Sequence, residues 1–212
     1  MTAQTVQDEG GRSAARIDFI DFLKVIGLAG IIAAHTGPPG WVIMLRCFDV
    51  PLMVILSAML GERSYRRRMQ SGRPAGGYYL SRFKRLVFPT WIFLTFYFLF
   101  ELAAGKPAHP PGYYLSSFLL THYGIDYVWI MLIYLYSALM IPFFCRYGRE
   151  KWLAFAVMGL YLLYELLYRM GVGTDSRFLM NTFYDFVPYG VVLTGLGCAA
   201  NRMSWKARVR TA

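Results

Sequence analysis

Asp21, Lys24 and His35 stand in the apolar run DFLKVIGLAGIIAAH, residues 21–35, with no other ionisable side chain between Lys24 and His35. Such groups cost at least a few kcal/mol each at membrane depth, so they are kept where they line a cavity, pair, or do chemistry. At about 100° per residue a helix carries all three on one face, with Lys24 and His35 roughly 20° apart and Asp21 within about 60° of either. A neutral imidazole is a base near physiological pH, and an ammonium group binds anions. Roughly 16 Å of helix axis separates Lys24 from His35, so the two would serve different parts of a long ligand. The opposite side carries Gly27, Gly30, Ala33 and Ala34, small residues that admit a neighbouring helix.

The short turn GPPG, residues 37–40, makes the first two apolar runs a tight hairpin and brings Arg46 and Asp49 to the level of His35. There Asp49 is suited to orienting the imidazole and Arg46 to stabilising developing negative charge; the same two residues also suit a simple mutual ion pair. A second candidate is the segment ERSYRRRMQSGRPAGGYYLSRFKR, residues 62–85, expected as a cytoplasmic loop. Its guanidinium groups match phosphate oxygens in a bidentate fork, and its glycines let backbone amides approach a ligand. Each site has a plainer reading beside the chemical one. His35 also fits an interfacial histidine at a helix end, Lys24 a snorkelling lysine held by Asp21, and Arg82, Lys84 and Arg85 a solvated basic loop.

The elements that must position these groups are membrane helices. The 212 residues are 57% hydrophobic, and the apolar residues come in blocks long enough to span a bilayer. Six spans are expected, near residues 18–37, 41–62, 86–105, 127–145, 152–170 and 182–200. They must be helical, because lipid offers the backbone no hydrogen-bond partner and the alternation of barrel strands is missing. The expected fold is therefore all-α, a polytopic transmembrane helical bundle of about six spans with both termini cytoplasmic. A polar, disordered tail is expected at 1–16, the membrane domain at 17–202 and a basic tail at 203–212.

The net charge of +10 does not point to nucleic acid, because the cations sort by membrane side. One side collects Arg63, Arg66, Arg67, Arg68, Arg82, Lys84, Arg85, Arg146 and Arg149, whereas the other holds Arg46, Lys106, Arg169 and Arg177. That is the positive-inside pattern. Cys47, Cys145 and Cys198 are widely spaced and suggest neither a disulfide framework nor a metal site. Glu165 and Arg169 are four apart and neutralise each other on one helix. His109 and His122 fall in an outer connection without ligand spacing and receive no role. Ser57 and Ser137 lack a His–Asp neighbourhood, which excludes a serine-triad reading.

Four stretches together resemble the acyltransferase-3 family, integral-membrane enzymes of bacteria that commonly O-acetylate surface glycans. The run DFLKVIGLAGIIAAH resembles the family's first helix, with an acidic residue, a basic residue three later and a histidine eleven beyond that. VPLMVILSAML (50–60), YYLSRFKRLVFP (78–89) and YVWIMLIYLYSALMIP (127–142) are similar to the following segments in the same order. Lys24 replaces a more usual arginine, Ala58 a common glycine, and Tyr127 a frequent histidine; the family also has further spans.

The resemblance implies acyl-CoA, expected to be acetyl-CoA, as donor and His35 as catalytic base; Asp21, Lys24, Arg82, Lys84 and Arg85 are the residues whose charge and placement suit them to bind that donor. It implies a glycan or lipid-linked sugar as acceptor, membrane lipids as surroundings, and the bacterial inner membrane as location. No metal and no nucleic acid is expected. A homo-oligomer or a complementary membrane subunit fits a chain short of the family's span number, and so does a truncated, inactive relative acting as a partner.

Overall fold

A computed structural model describes the backbone of residues 3–45, 47–125, 128–176 and 179–210, and side chains from Phe19 onward except 180–181 and 203–210. Arg46 and Tyr127 lie outside the described residues. The described backbone is helical, without strands. In order it comprises α1 (Ala3–Ala34), α2 (Gly40–Leu45), α3 (Asp49–Gln70), α4 (Gly76–Ala103), α5 (Pro111–Phe118), α6 (Trp129–Tyr147) and α7 (Lys151–Arg169). Two π-helical runs follow, π1 (Met180–Tyr184) and π2 (Phe186–Leu193), and then α8 (Thr194–Arg210). Among the described residues five segments are long and apolar enough to cross a membrane: Gly40–Gln70, Gly76–Ala103, Trp129–Tyr147, Lys151–Arg169 and Thr182–Arg202. The remaining expected span, residues 18–37, falls mostly on α1, whose backbone is helical from Ala3.

The chain divides into two units within α3, Met1–Leu56 and Ser57–Ala212. In the first unit the small face of α1 meets the beginning of α3. A Cβ added at Gly30 would stand 3.0 Å from the Asp49 Cβ, and one at Gly27 2.8 Å from the Met53 side chain. The missing side chains thus let two helix backbones approach, as helices do in lipid where small residues replace the hydrophobic drive. The expected hairpin is present, with the turn continued by the single short helix α2.

In the second unit α6 is the central element and packs against α4, π2 and α8. Its buried residues Ile130, Ile133, Ser137, Ala138, Ile141 and Phe144 recur at three- and four-residue steps, the spacing of one helix stripe. Around that stripe lie Tyr78, Leu153, Val191 and Cys198 on one side. Val87, Leu94, Leu120, Ile125 and Val128 form another cluster. Helix α7 buries Leu153 but exposes Phe155, Met158, Leu162 and Leu166, the surface of a helix that faces hydrocarbon.

The expected cytoplasmic loop 62–85 is mostly helix: α3 continues to Gln70 and α4 begins at Gly76. Glu62 lies within the α3 part of it. Its carboxylate is fully buried and accepts Arg66 Nε at 3.0 Å and Nη2 at 2.8 Å, one helical turn on. Asn201 Nδ2 donates to its second oxygen at 2.9 Å, and Asn201 Oδ1 accepts Arg63 Nε at 2.9 Å. The Pro-rich connection expected on the outer side also contains a helix, α5, with Pro111 in its first turn, where a proline's missing N–H costs nothing.

Candidate anion-binding cavity and membrane site

The ends of α3 and α4 enclose a cavity of about 380 Å³ lined by Ser64, Arg67, Arg68, Ser71, Arg73, Tyr78, Ser81, Arg82 and Arg85. Five arginines converge there without a carboxylate among the lining residues. Local structure puts them there. Neighbouring positions in the last turns of α3 supply Arg67 and Arg68, the Ser71–Ala75 connection supplies Arg73, and the first turns of α4 supply Arg82 and Arg85. Arg68 Nε donates to the Pro74 carbonyl at 3.0 Å. Its guanidinium occupies the space that a Cβ on Gly77 would need. The glycine therefore gives room to a cation.

Tyr78 is buried at the cavity wall, and among the described residues its hydroxyl has no hydrogen-bond partner. The Arg82 guanidinium carbon lies 5.5 Å from the centre of the Tyr78 ring. Both groups sit over Gly61, which also admits the Ile141 side chain of α6. A cationic cavity with hydroxyl groups and an unused buried O–H is suited to a phosphorylated ligand, whose oxygens accept from guanidinium and hydroxyl alike. Arg63 and Arg66, by contrast, are turned to Asn201 and Glu62. Of the expected donor-binding residues, Arg82 and Arg85 line the cavity; Lys84 is exposed and does not.

In the first unit Lys24 Nζ binds Asp21 Oδ1 at 2.7 Å, with the two side chains 38% and 58% exposed. His35 is exposed just beyond the end of α1, its amide donating to the Ile32 carbonyl at 3.0 Å. Asp49 is buried; its Oδ1 accepts the Val50 amide at 2.6 Å, and its Oδ2 lies against Gly30. The hairpin thus brings Asp49 to the small face of α1 and leaves His35 at the helix end.

A family model described as an acyltransferase domain matches residues 17–212. The chain belongs to the acyltransferase-3 family. No curated protein and no solved structure matches it. For an acyltransferase-3 protein with several membrane-spanning helices, the general activity is acyl transfer at a membrane.

This acyltransferase-3 chain also holds polar clusters that residue spacing does not reveal. His122 Nε2 lies 2.7 Å from Asp185 Oδ2, across 63 residues of sequence. The imidazole stacks on Trp129 with ring centres 4.6 Å apart. Glu101 gathers Tyr97, Lys106 and His109 at 3.0 Å, 3.0 Å and 3.2 Å. His109 stacks on Tyr113 at 4.3 Å. Both histidines, given no role in the sequence, therefore have carboxylate partners. The signal that finds Asp185 is its place in the last apolar run, where an isolated charge demands a partner.

Proposed function

We propose that the chain transfers an acyl group, acetyl first among candidates, from cytosolic acyl-CoA to a hydroxyl of a cell-surface or exported glycan in the bacterial inner membrane. The five-arginine cavity carries this reading. A coenzyme A donor presents several phosphate oxygens at one end and a thioester at the end of a long arm, and the cavity offers fixed guanidinium forks for the first. The positive-inside pattern supports its placement on the cytosolic side, where acyl-CoA is made. Lys24, held by Asp21, offers an oriented hydrogen-bond donor to another part of the same ligand.

In the transfer step the acceptor oxygen attacks the thioester carbonyl carbon, the C–O bond forms and the C–S bond breaks. His35 takes the hydroxyl proton and returns it to the leaving thiolate. Arg46 and Asp49 are the proposed oxyanion-stabilising and orienting partners. The test supplies radiolabelled acetyl-CoA to membranes containing these 212 residues and follows label into the glycan fraction. Label that appears with the wild type and is lost in Arg82→Ala/Arg85→Ala supports the reading. An unlabelled glycan fraction overturns it.

A second reading, a catalytically silent subunit or a homo-oligomer, draws on the exposed Asp21–Lys24 pair, which a covering helix would shield from lipid. Co-purification with a helical partner and no transfer would favour it.

A further inference from the structure

The acyl-transfer reading leaves the acceptor without a place, and the second unit holds a polar, aromatic constellation at the opposite end of α6 from the arginine cavity. Ile141, near the C-terminal end of α6, stands over Gly61 beside Tyr78 and Arg82 of the cavity wall. Trp129 opens the same helix, roughly 18 Å along its axis from Ile141 at 1.5 Å per residue.

Three elements assemble the constellation around Trp129. The first is the connection after α5. Ser117 Oγ donates to the Tyr113 carbonyl and accepts the Ile125 amide, both at 2.9 Å, while Leu120, Ile125 and Val128 are buried. This anchors the connection on both sides of His122. The second is the first turn of α6, which supplies the indole. The third is the last membrane segment, in which Asp185 is the one residue between π1 and π2. Turns of π-helix are rare and frequently mark functional sites.

The result is a buried carboxylate, 12% exposed at its side chain, bound to an imidazole that is 31% exposed. Only Oδ2 of Asp185 is engaged among the described residues. Tyr189 presents an edge-on ring 6.1 Å from Trp129, and Tyr136 meets Phe186 at 5.3 Å. A carboxylate accepts O–H donors in a charge-assisted bond, and aromatic rings pack against C–H faces. Those are the needs of a polyhydroxylated ring, which has O–H groups around its rim and apolar faces.

We propose that Asp185, clamped by His122 beside the Trp129 indole, is the subsite that receives the hydroxyl groups of a pyranose or similar polyol acceptor. The inference rests on the acyl-transfer reading for its purpose, but its binding chemistry stands apart from the donor cavity. Asp185 touches the acceptor; His122 fixes the carboxylate and is a positioning residue.

The test uses the full chain in detergent with two readouts. In the first, acetyl transfer is measured against acceptor and donor concentration separately. Asp185→Asn is expected to raise the acceptor KM about 10- to 100-fold, the loss of a charge-assisted hydrogen bond, with the donor KM within about twofold. His122→Gln gives a smaller rise, and Asp185→Glu recovers part of it. An unchanged acceptor KM in Asp185→Asn, or equal changes in both KM values, overturns the proposal. The second readout needs no turnover: tryptophan fluorescence is titrated with a panel of methyl hexopyranosides. Saturable quenching in the wild type that disappears in Asp185→Asn and Trp129→Phe supports the subsite. Absence of saturable quenching across the panel overturns it. If no acyl group is transferred at all, the acyl-transfer reading fails and the titration still decides the sugar site.

Discussion

Glu62 on α3 and Asn201 on α8 meet through a 2.9 Å hydrogen bond although 139 residues separate them in sequence. The carboxylate has no exposed surface, and Arg66 holds its other oxygen. The pair joins two helices that the chain order keeps far apart.

Glu62→Ala removes the acceptor that both Arg66 and Asn201 use. Breaking one side of a buried charge pair costs about 3–5 kcal/mol, because the remaining cation and amide lose their partner. The expected outcome is a clear fall in the thermal or SDS unfolding midpoint, larger than for Glu165→Ala. That control breaks the 2.7 Å pair with the exposed Arg169, and exposed pairs contribute only about 0–1 kcal/mol.

Gly77→Ala separates binding from stability. Alanine in place of a helix glycine gains about 0.5–1 kcal/mol, but its Cβ takes the space of the Arg68 guanidinium. Arg68 is flexible and swings away, so the protein should unfold at an equal or higher temperature while its affinity for coenzyme A drops several-fold. Equal affinity, measured by titration, would show that Arg68 does not contact the ligand.

Arg82→Ala/Arg85→Ala should raise the donor KM at least about tenfold and flatten its dependence on salt, since two charges of the cavity are gone. Lys84→Ala, outside the cavity lining, should change the donor KM by less than about twofold. A reversed order would move the donor site off the cavity.

His35→Ala should abolish acyl transfer while leaving membrane insertion and coenzyme A binding in place. Full transfer by this variant, with protein level checked by immunoblot, would remove His35 from the mechanism.

Lys106 gives a pH signature. Its hydrogen bond to Glu101 at 3.0 Å raises the ammonium pKa above its ordinary 10.5. A raised folded-state pKa means stabilisation that is fully present below about 10.5 and lost as pH climbs through the higher folded value. Wild-type protein should therefore lose stability on going above about pH 10.5, and Lys106→Met should lose less over the same interval. Unfolding midpoints of the two proteins across that range check the sign.

The sequence alone made the helical membrane fold legible. Blocks of apolar residues with no backbone partner in lipid leave no alternative to helices, and Gly27 and Gly30 announce the close approach of a neighbouring helix, whose Met53 and Asp49 only the structure identifies. The Asp21–Lys24 and Glu165–Arg169 pairs were equally readable, because three- and four-residue spacing places such groups side by side on any helix. Arg82 and Arg85 were recognisable as cations suited to phosphate. That Arg67, Arg68 and Arg73 join them while Arg63 and Arg66 turn away was not. Nearly identical side chains follow one another around α3, and Arg66 is drawn off by Glu62 and Arg63 by Asn201, a partner that no local spacing announces. His122 was passed over for the same reason. Its partner Asp185 lies on a distant helix, its platform Trp129 on another, and no local spacing encodes which helix ends meet. Periodicity fixes what each helix is; packing of α6 against α4, π2 and α8 decides which charged groups become neighbours.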